Sequence, residues 1–205
     1  HIDVQGKTVL PGLIDAHGHV FGLGAIASGV MLYGSSSLDV AVKAVGEFAR
    51  AHPERGWVIG NGWNQEIWKL GRFPTASELD AAESARPVWL RRVDGHAGWA
   101  NSRALALAGI TRATPDPAGG KIVRDGGGNA TGVLVDNAMD LMDKVLPKPG
   151  EADNRAALDG ALAQLAQVGL TSVHDAGIDV AQDRLYRDYA DNGKLTVSVY
   201  EMIFD

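Results

Sequence analysis

His17 and His19 are separated by one glycine and follow a short apolar run in the segment PGLIDAHGH, residues 11 to 19. Alternate residues of a strand point to the same face, so both imidazoles are expected to project together at the carboxyl end of a strand. Two imidazoles placed in this way can share one metal ion at about 2.0–2.1 Å each. The pair by itself is equally compatible with two solvated or packed loop histidines.

His96 is another histidine at the expected end of a strand, in the segment VDGHAGWANS, residues 93 to 102. Small residues around it give its imidazole room to reach a pocket and to hydrogen-bond a carbonyl or a developing oxyanion. Capping of the loop is an equally good role for this histidine. Asp94 would either orient the same loop or simply form its turn.

His174 and Asp175 close the predicted strand TSVHD, residues 171 to 175. Active sites of α/β proteins lie beyond the carboxyl ends of their strands, which places both side chains at a catalytic rim if the sheet is a barrel. There Asp175 would contact a substrate, and His174 would position a substrate, line a second metal position or pack against its neighbours.

The segment NGWNQEIWKLGRFPT, residues 61 to 75, is rich in glycine and tryptophan and lacks clear periodicity, which predicts a loop. Indole side chains need either a core or a ligand to cover them. Two interpretations are open, namely an aromatic and amide wall over the apolar side of a substrate, and ordinary packing of the loop. The residues concerned are Trp63, Asn64, Gln65 and Trp68.

The composition limits the ligands that these side chains can serve. Of the 205 residues 45% are hydrophobic and 21% are charged, and the formal net charge is −6. This balance is typical of a globular protein with a small-molecule substrate and disfavours nucleic acid. The absence of cysteine excludes disulfides, thiolate ligands and cysteine nucleophiles. No apolar run approaches the ~18 residues of a membrane helix and no signal peptide is recognised, so we expect a soluble, cytoplasmic protein with a trimmed start.

The elements that would position these residues alternate between strands and helices. Continuous apolar strands joined by crossover helices imply a parallel sheet, and residues 119 to 136 predict a hairpin about a glycine-rich turn. The chain holds roughly four or five strand–helix units, whereas a complete (β/α)8 barrel has eight strands in ~250 residues, so a barrel built from this chain would be unfinished. Strands are predicted at 7–10, 13–17, 57–60, 87–93, 171–175 and 195–204, and helices at 37–52, 75–84, in the second half of 94–109, at 151–170 and at 181–193.

The segment PGLIDAHGH resembles the signature of the amidohydrolase superfamily, in which the chain leaves a small β-sandwich, enters the first barrel strand and delivers two histidines to a metal. Further segments resemble successive blocks of amidohydrolase family 3, the YtcJ-like branch, whose known activities include deformylation of N-substituted formamides. Their order and spacing together make the resemblance specific over nearly the whole chain. The segments are GWNQ (62–65), FPTASELD (73–80), RVDGHAGWANSRAL (92–105), GVLVDNAM (132–139) and GLTSVHDAG (169–177).

The resemblance implies an α/β protein with three parts. The end of a β-sandwich domain would occupy residues 1–10, and the first part of a metal-dependent hydrolase TIM (β/α)8 barrel would occupy residues 11–205, with a small β-hairpin insertion. His17 and His19 are carried over as ligands of a divalent metal, with Zn²⁺ expected and one or two ions in a complete enzyme.

The implied reaction is hydrolysis of a C–N bond in an amide, a formamide or a related cyclic amide by metal-activated hydroxide. His96 or His174 would steady the carbonyl oxygen. The family pattern also contains a carboxylated lysine, two further single histidines and a final aspartate, which we do not find in this sequence. The resemblance therefore implies the N-terminal portion of a longer enzyme, inactive by itself.

A rival interpretation is a non-catalytic half-barrel that binds a metal or another ligand. Two histidines leave Zn²⁺ short of the three protein ligands that are usual in catalytic sites. An unfinished parallel sheet would also expose an unpaired edge and apolar faces, which favour a homo-oligomer. Neither interpretation calls for contact with a membrane.

Overall fold

A computed structural model describes residues 3–204, which divide into two compact units. Unit 1 combines residues 3–28 with residues 149–204, and unit 2 is Gly29–Lys148. The strands are β1 (Leu13–Gly18), β2 (Val30–Met31), β3 (Val58–Trp63), β4 (Val88–Arg92), β5 (Ala97–Ala100), β6 (Gly120–Arg124), β7 (Ala130–Asp136), β8 (Leu170–Ile178) and β9 (Ser198–Ile203). The helices are α1 (Val20–Ala27), α2 (Leu38–Ala51), α3 (Ala76–Asp80), α4 (Ser102–Leu107), α5 (Asp140–Asp143), α6 (Glu151–Gln167) and α7 (Val180–Asp191), with a 3-10 turn at Asn137–Met139.

Unit 1 is built on a parallel sheet of three strands in the order β1-β8-β9. The register pairs Gly18 of β1 with Asp175 of β8, so the carboxyl end of β1 lies beside the second half of β8. Helix α1 packs closely on α6, because Gly24 has no Cβ and one would overlap the Ala157 carbonyl. The apolar core of the unit includes Val20, Phe21, Leu158, Leu162, Val173, Ile178, Leu185 and Tyr186.

Unit 2 contains a mixed sheet of six strands in the order β2-β3-β4-β5-β7-β6. Strands β2, β3 and β4 are parallel, whereas β5, β6 and β7 join by antiparallel pairing. Two aromatic side chains, Trp63 and Trp99, are fully buried between this sheet and the helices of the unit. The hairpin predicted at 119 to 136 is confirmed as β6 and β7.

The predicted helices are confirmed because their local signals are satisfied. In α2 the Ser37 hydroxyl accepts a hydrogen bond from the Val40 amide, and the buried side chains recur at spacings of three to four residues. Helix α3 begins with a capping box in which Glu78 accepts a hydrogen bond from the Thr75 amide at 2.6 Å. Among residues 3–204, no helix combines the length and the apolar composition that crossing a membrane requires.

Several predicted strands differ from the structure. Residues 3–12 contain no strand, so the predicted strand at 7–10 and its corner with β1 are wrong. The assignment of residues 1–10 to the end of a β-sandwich stays a prediction, and residues 1 and 2 lie outside the described range. The purely parallel sheet is confirmed for unit 1 only. In unit 2 the tight turn after β4 sends β5 back alongside it, which makes this pairing antiparallel.

Asn101 is the buried polar residue that ties β4 to the helix that follows β5. Its Oδ1 accepts hydrogen bonds from the amides of Val88 at 3.0 Å and Ala104 at 2.9 Å. Its Nδ2 donates to the carbonyls of Glu83 at 2.8 Å and Arg86 at 2.9 Å. A single side chain thus caps α4 and completes the start of β4.

Asn101→Ala is expected to lower the free energy of unfolding by about 2–4 kcal/mol, because it removes a helix cap and leaves buried backbone groups without partners. The measurement is urea denaturation. Asn192→Ala is the control, since Asn192 is exposed at the end of α7 and should cost about 0.5 kcal/mol or less. Equal effects of the two substitutions would contradict this account of Asn101.

Candidate functional site

The structure brings the two histidines of the PGLIDAHGH segment together in unit 1. His17 lies in β1, and His19 follows directly as the N-terminal capping residue of α1. Their ring centroids are 5.3 Å apart with nearly perpendicular planes, and both residues are exposed. Within residues 3–204 no group of three or more His, Asp or Glu side chains is arranged to hold a metal ion. The pair can therefore provide part of a metal site.

The His19 ring is held by a hydrogen bond between its Nδ1 and the carbonyl oxygen of Ala176, at 2.7 Å. A carbonyl oxygen only accepts, so Nδ1 carries the proton and donates it. In the neutral ring Nε2 then keeps its lone pair and is the atom that can bind a metal ion. Metal-binding histidines commonly donate their other N–H to a backbone carbonyl in this manner. The donor set of His17 and His19 thus fits a divalent metal.

Asp175 is buried directly beside this histidine, with 2% of its surface exposed. Its Oδ1 accepts a hydrogen bond from the Val20 amide at 3.1 Å, and its Oδ2 accepts one from the Tyr186 hydroxyl at 2.6 Å. Both carboxylate oxygens are thus engaged within unit 1. A contact between Asp175 and substrate stays a prediction.

Tyr186 is a site residue that sequence reasoning missed. It lies on α7, is almost fully buried, and packs its ring against Phe21 of α1 with centroids 5.1 Å apart. Burial, together with the hydrogen bond to Asp175, raises the pKa of Tyr186 well above its ordinary value. Its hydroxyl therefore remains a hydrogen-bond donor at all working pH values. Nothing in the helix sequence distinguishes this tyrosine from an ordinary core residue.

His174 does not stand at the end of its strand, since β8 continues to Ile178. It points to the face of β8 opposite Val173 and Asp175, is half-buried, and has its ring centroid 5.1 Å from that of Tyr200 on β9. The expected position at the strand end is therefore wrong. A role for His174 toward substrate stays a prediction.

A surface cavity of about 300 Å³ opens next to His19 in unit 1. Its volume is at the lower end of the range for small-molecule sites. His19, which is exposed, can therefore be approached from this cavity. The lining residues are His19, Phe21, Gly22, Asp175, Gly177, Ile178 and Gln182.

His96 lies in the turn between β4 and β5 of unit 2, where three contacts hold it. Its Nδ1 lies 2.9 Å from Oδ1 of Asp136, its amide donates to Oδ1 of Asp94 at 3.1 Å, and its carbonyl accepts from the Asp136 amide. Its side chain remains 73% exposed. Asp136, which sequence reasoning did not single out, adopts a left-handed φ of +48°, a strained conformation for a residue other than glycine.

Asp94 both forms the turn and pairs with Arg92. The guanidinium of Arg92 makes two hydrogen bonds to the Asp94 carboxylate, one of them at 2.8 Å. These bonds, together with the one from the His96 amide, lower the pKa of Asp94 to about 2. The carboxylate thus stabilises the turn between β4 and β5, while a contact between Asp94 and substrate stays a prediction.

Trp63 lies in the core of unit 2 and not on a ligand surface, because β3 runs through it. It has no exposed surface, and its indole N–H donates to the Leu90 carbonyl at 2.8 Å. Gln65 is buried at 6% exposure, with its amide turned to Glu66. The predicted substrate wall is therefore wrong for Trp63 and Gln65, whereas half-buried Asn64 stays a prediction. The aromatic rings that surround Trp63 are Trp68, Phe73 and Trp99.

The lowered pKa of Asp94 predicts a specific dependence of stability on pH. A carboxylate with a folded pKa below its unfolded value stabilises the protein above about pH 4, and this contribution is lost as the pH falls toward 2. Asp94→Asn is therefore expected to reduce the free energy of unfolding at pH 7 and to flatten its decrease between pH 4 and pH 2. Urea denaturation at a series of pH values measures both effects. An unaltered acid dependence in the variant would exclude the ion pair as its source.

Comparison with known proteins gives matches over most of the chain. The sequence profile described as the amidohydrolase family matches residues 1–203. The chain is 39% identical to "Protein LONG AFTER FAR-RED 3" of Arabidopsis thaliana, over 86% of this chain and 30% of that protein. It is 36% identical to "Putative amidohydrolase YtcJ" of Bacillus subtilis, over 94% of this chain and 37% of that protein. It is 35% identical to "N-substituted formamide deformylase" of Arthrobacter pascens, over 98% of this chain and 38% of that protein.

The fold is similar to that of a solved structure described as an uncharacterized metal-dependent hydrolase from Pyrococcus horikoshii. The TM-score is 0.68 with 24% sequence identity, over 94% of this chain and 36% of that one. A similar structure from Pyrococcus furiosus gives a TM-score of 0.66. The chain thus spans between 30% and 38% of the length of the proteins named here.

Proposed function

The chain belongs to the amidohydrolase family, and from this premise we propose that it is part of a metal-dependent hydrolase. The proposed substrate is a small molecule with an amide, formamide or cyclic amide C–N bond. Similarity over 98% of the chain to a protein named N-substituted formamide deformylase supports this substrate class. The observation that carries the proposal is the hydrogen bond from His19 Nδ1 to Ala176, which leaves Nε2 available beside His17.

The proposed roles of this chain concern how the metal is held. His17 and His19 would each provide one imidazole nitrogen, and the Ala176 carbonyl would keep the His19 ring in the tautomer that can bind. When bound, Zn²⁺ supplies a Lewis acid that makes water nucleophilic near neutral pH. The cavity beside His19 would admit a small substrate to this face of unit 1.

Two histidines do not complete a catalytic zinc site, which commonly has three protein ligands. We therefore propose that the remaining ligands and the proton-transfer group come from parts of the protein outside these 205 residues. The partial coverage of the relatives supports this, since the matches span only 30% to 38% of their lengths. The parallel β1-β8-β9 sheet with its helices is proposed to belong to a (β/α)8 barrel.

His96 remains the candidate in unit 2 for a contact with substrate. If Nδ1 donates to the Asp136 carboxylate, its Nε2 faces outward as an acceptor, and on protonation it becomes a donor for a carbonyl oxygen. His174 is the weaker candidate, because it packs against Tyr200. A small-molecule substrate, a homo-oligomeric state and a cytoplasmic location all stay predictions.

Substitution of the two histidines tests the proposal in the full-length protein. His17→Ala and His19→Ala are each expected to abolish retention of zinc through dialysis and to lower turnover of an N-substituted formamide by at least about 100-fold. Removal of a residue that only hydrogen-bonds a metal ligand already costs about 10- to 100-fold in metal affinity or activity, and removal of the ligand itself costs more. Elemental analysis and a formate-release assay measure the two effects.

His52→Ala is the matched control, since His52 ends α2 in unit 2 and is expected to leave both quantities unchanged. Full zinc content and turnover in either the His17 or the His19 variant would defeat the assignment. Zinc that depends on both histidines, without hydrolysis of any amide tested, would support the rival metal-binding role.

A further inference from the structure

Helix α1 begins without the local cap that most helices have. The N-terminal capping position is commonly Ser, Thr, Asn or Asp, whose side chain accepts a hydrogen bond from the first turn. Here that position is His19, whose side chain makes no capping bond, and the first turn contains no acidic residue. The imidazole is instead turned toward the Ala176 carbonyl. The first amides of α1 therefore need an acceptor from elsewhere in the protein.

Asp175 supplies this acceptor from β8. Its Oδ1 lies 3.1 Å from the Val20 amide, which is the first residue of α1. A carboxylate at this end also interacts favourably with the helix dipole. The next residue along the strand, Ala176, accepts from the His19 ring at 2.7 Å. Two consecutive residues of β8 thus hold the helix start beside His19 and the ring of His19 itself.

Tyr186 holds Asp175 in place. A carboxylate with 2% exposure is costly unless both of its oxygens are hydrogen-bonded, and the Tyr186 hydroxyl satisfies the second oxygen at 2.6 Å. The Tyr186 ring also packs on Phe21 in the first turn of α1. Helix α7 therefore contacts both the cap and the helix that is capped.

We propose that Asp175, held by Tyr186, is the positioning residue that fixes His19 as a metal ligand. The role of His19 as a metal ligand rests on the proposed function, whereas its positioning rests on the observed contacts. In this arrangement both carboxylate oxygens of Asp175 bond to groups of the protein itself, and neither is assigned as a metal ligand. Asp175 acts through the Val20 amide, and the sheet register beside β1 keeps it there.

The test compares two tyrosines of α7 whose hydroxyls donate hydrogen bonds to different aspartates. Tyr186→Phe keeps the packing on Phe21 and removes only the bond to Asp175. Tyr189→Phe is the matched control, because Tyr189 is also buried on α7 and donates to another aspartate, Asp159 on α6, at 2.8 Å. Both substitutions remove one tyrosine–aspartate hydrogen bond, but only the first removes one that leads to His19.

The main readout is the tautomer of His19 in the metal-free, full-length protein, measured by NMR of ¹⁵N-labelled histidine at a pH where the ring is neutral. The signal is assigned from its loss in His19→Gln. The unsubstituted protein and Tyr189→Phe are expected to show the Nδ1–H form, whereas Tyr186→Phe is expected to show a mixture of tautomers. The same shift in both tyrosine variants, or in neither, would overturn the proposal.

The second readout is zinc affinity, measured by competition with a chelator. Tyr186→Phe is expected to weaken zinc binding by about 10-fold and Tyr189→Phe to leave it unchanged. Asp175→Asn, which keeps an acceptor for the Val20 amide, is expected to retain more affinity than Asp175→Ala. Asp175→Asn as weak as Asp175→Ala would count against a role through the amide.

The two readouts separate this proposal from the proposed function. If the tautomer shifts only in Tyr186→Phe but zinc never depends on His17 and His19, positioning stands and the metal assignment fails. If zinc binds through both histidines, but neither the His19 tautomer nor the zinc affinity changes in Tyr186→Phe, the metal assignment stands and the positioning role fails.

Discussion

The hydrogen bonds that two consecutive residues of β8 make to the start of α1 are the contacts on which the candidate site depends. The Asp175 carboxylate caps α1 at Val20, and the Ala176 carbonyl accepts a hydrogen bond from Nδ1 of His19. Hydrogen bonds to a charged group contribute about 1.5–3 kcal/mol, so loss of the Asp175 bond is expected to destabilise the start of α1. The arrangement lets a histidine occupy a capping position without performing the capping.

The neighbouring elements of unit 1 keep these hydrogen-bonding groups of β8 beside the start of α1. Parallel pairing of β1 with β8 sets Gly18 beside Asp175, although the two residues are far apart in the chain. Helix α7 adds Tyr186, which keeps the buried carboxylate fully hydrogen-bonded. The close packing of α1 on α6, which Gly24 permits, holds the middle of the same helix. The proposed metal ligand His19, at the start of α1, thus depends on three other elements of unit 1, namely β8, α7 and α6.

Local signals in the sequence predict what local interactions determine. Helices α2 and α3 and the β6–β7 hairpin follow from caps and turns, whereas strand alternation does not account for His19, which lies beyond β1 as the capping residue of α1. Strand β5 has no such signal, since AGWA lacks β-branched residues, and it forms because Gly98 leaves room for the Trp89 indole of the adjacent strand. The contacts of Asp175 could not be predicted from the sequence either, because its hydrogen-bond partners lie 155 and 11 residues away in the chain, beyond the range of a local pattern.

The most direct measurement of the central claim is anomalous diffraction at the zinc edge from crystals of the full-length protein. The account predicts a metal peak about 2.0–2.1 Å from His19 Nε2, with His17 as a second ligand and His19 Nδ1 still donating to Ala176. A metal bound through His19 Nδ1, or a peak remote from both histidines, would contradict it.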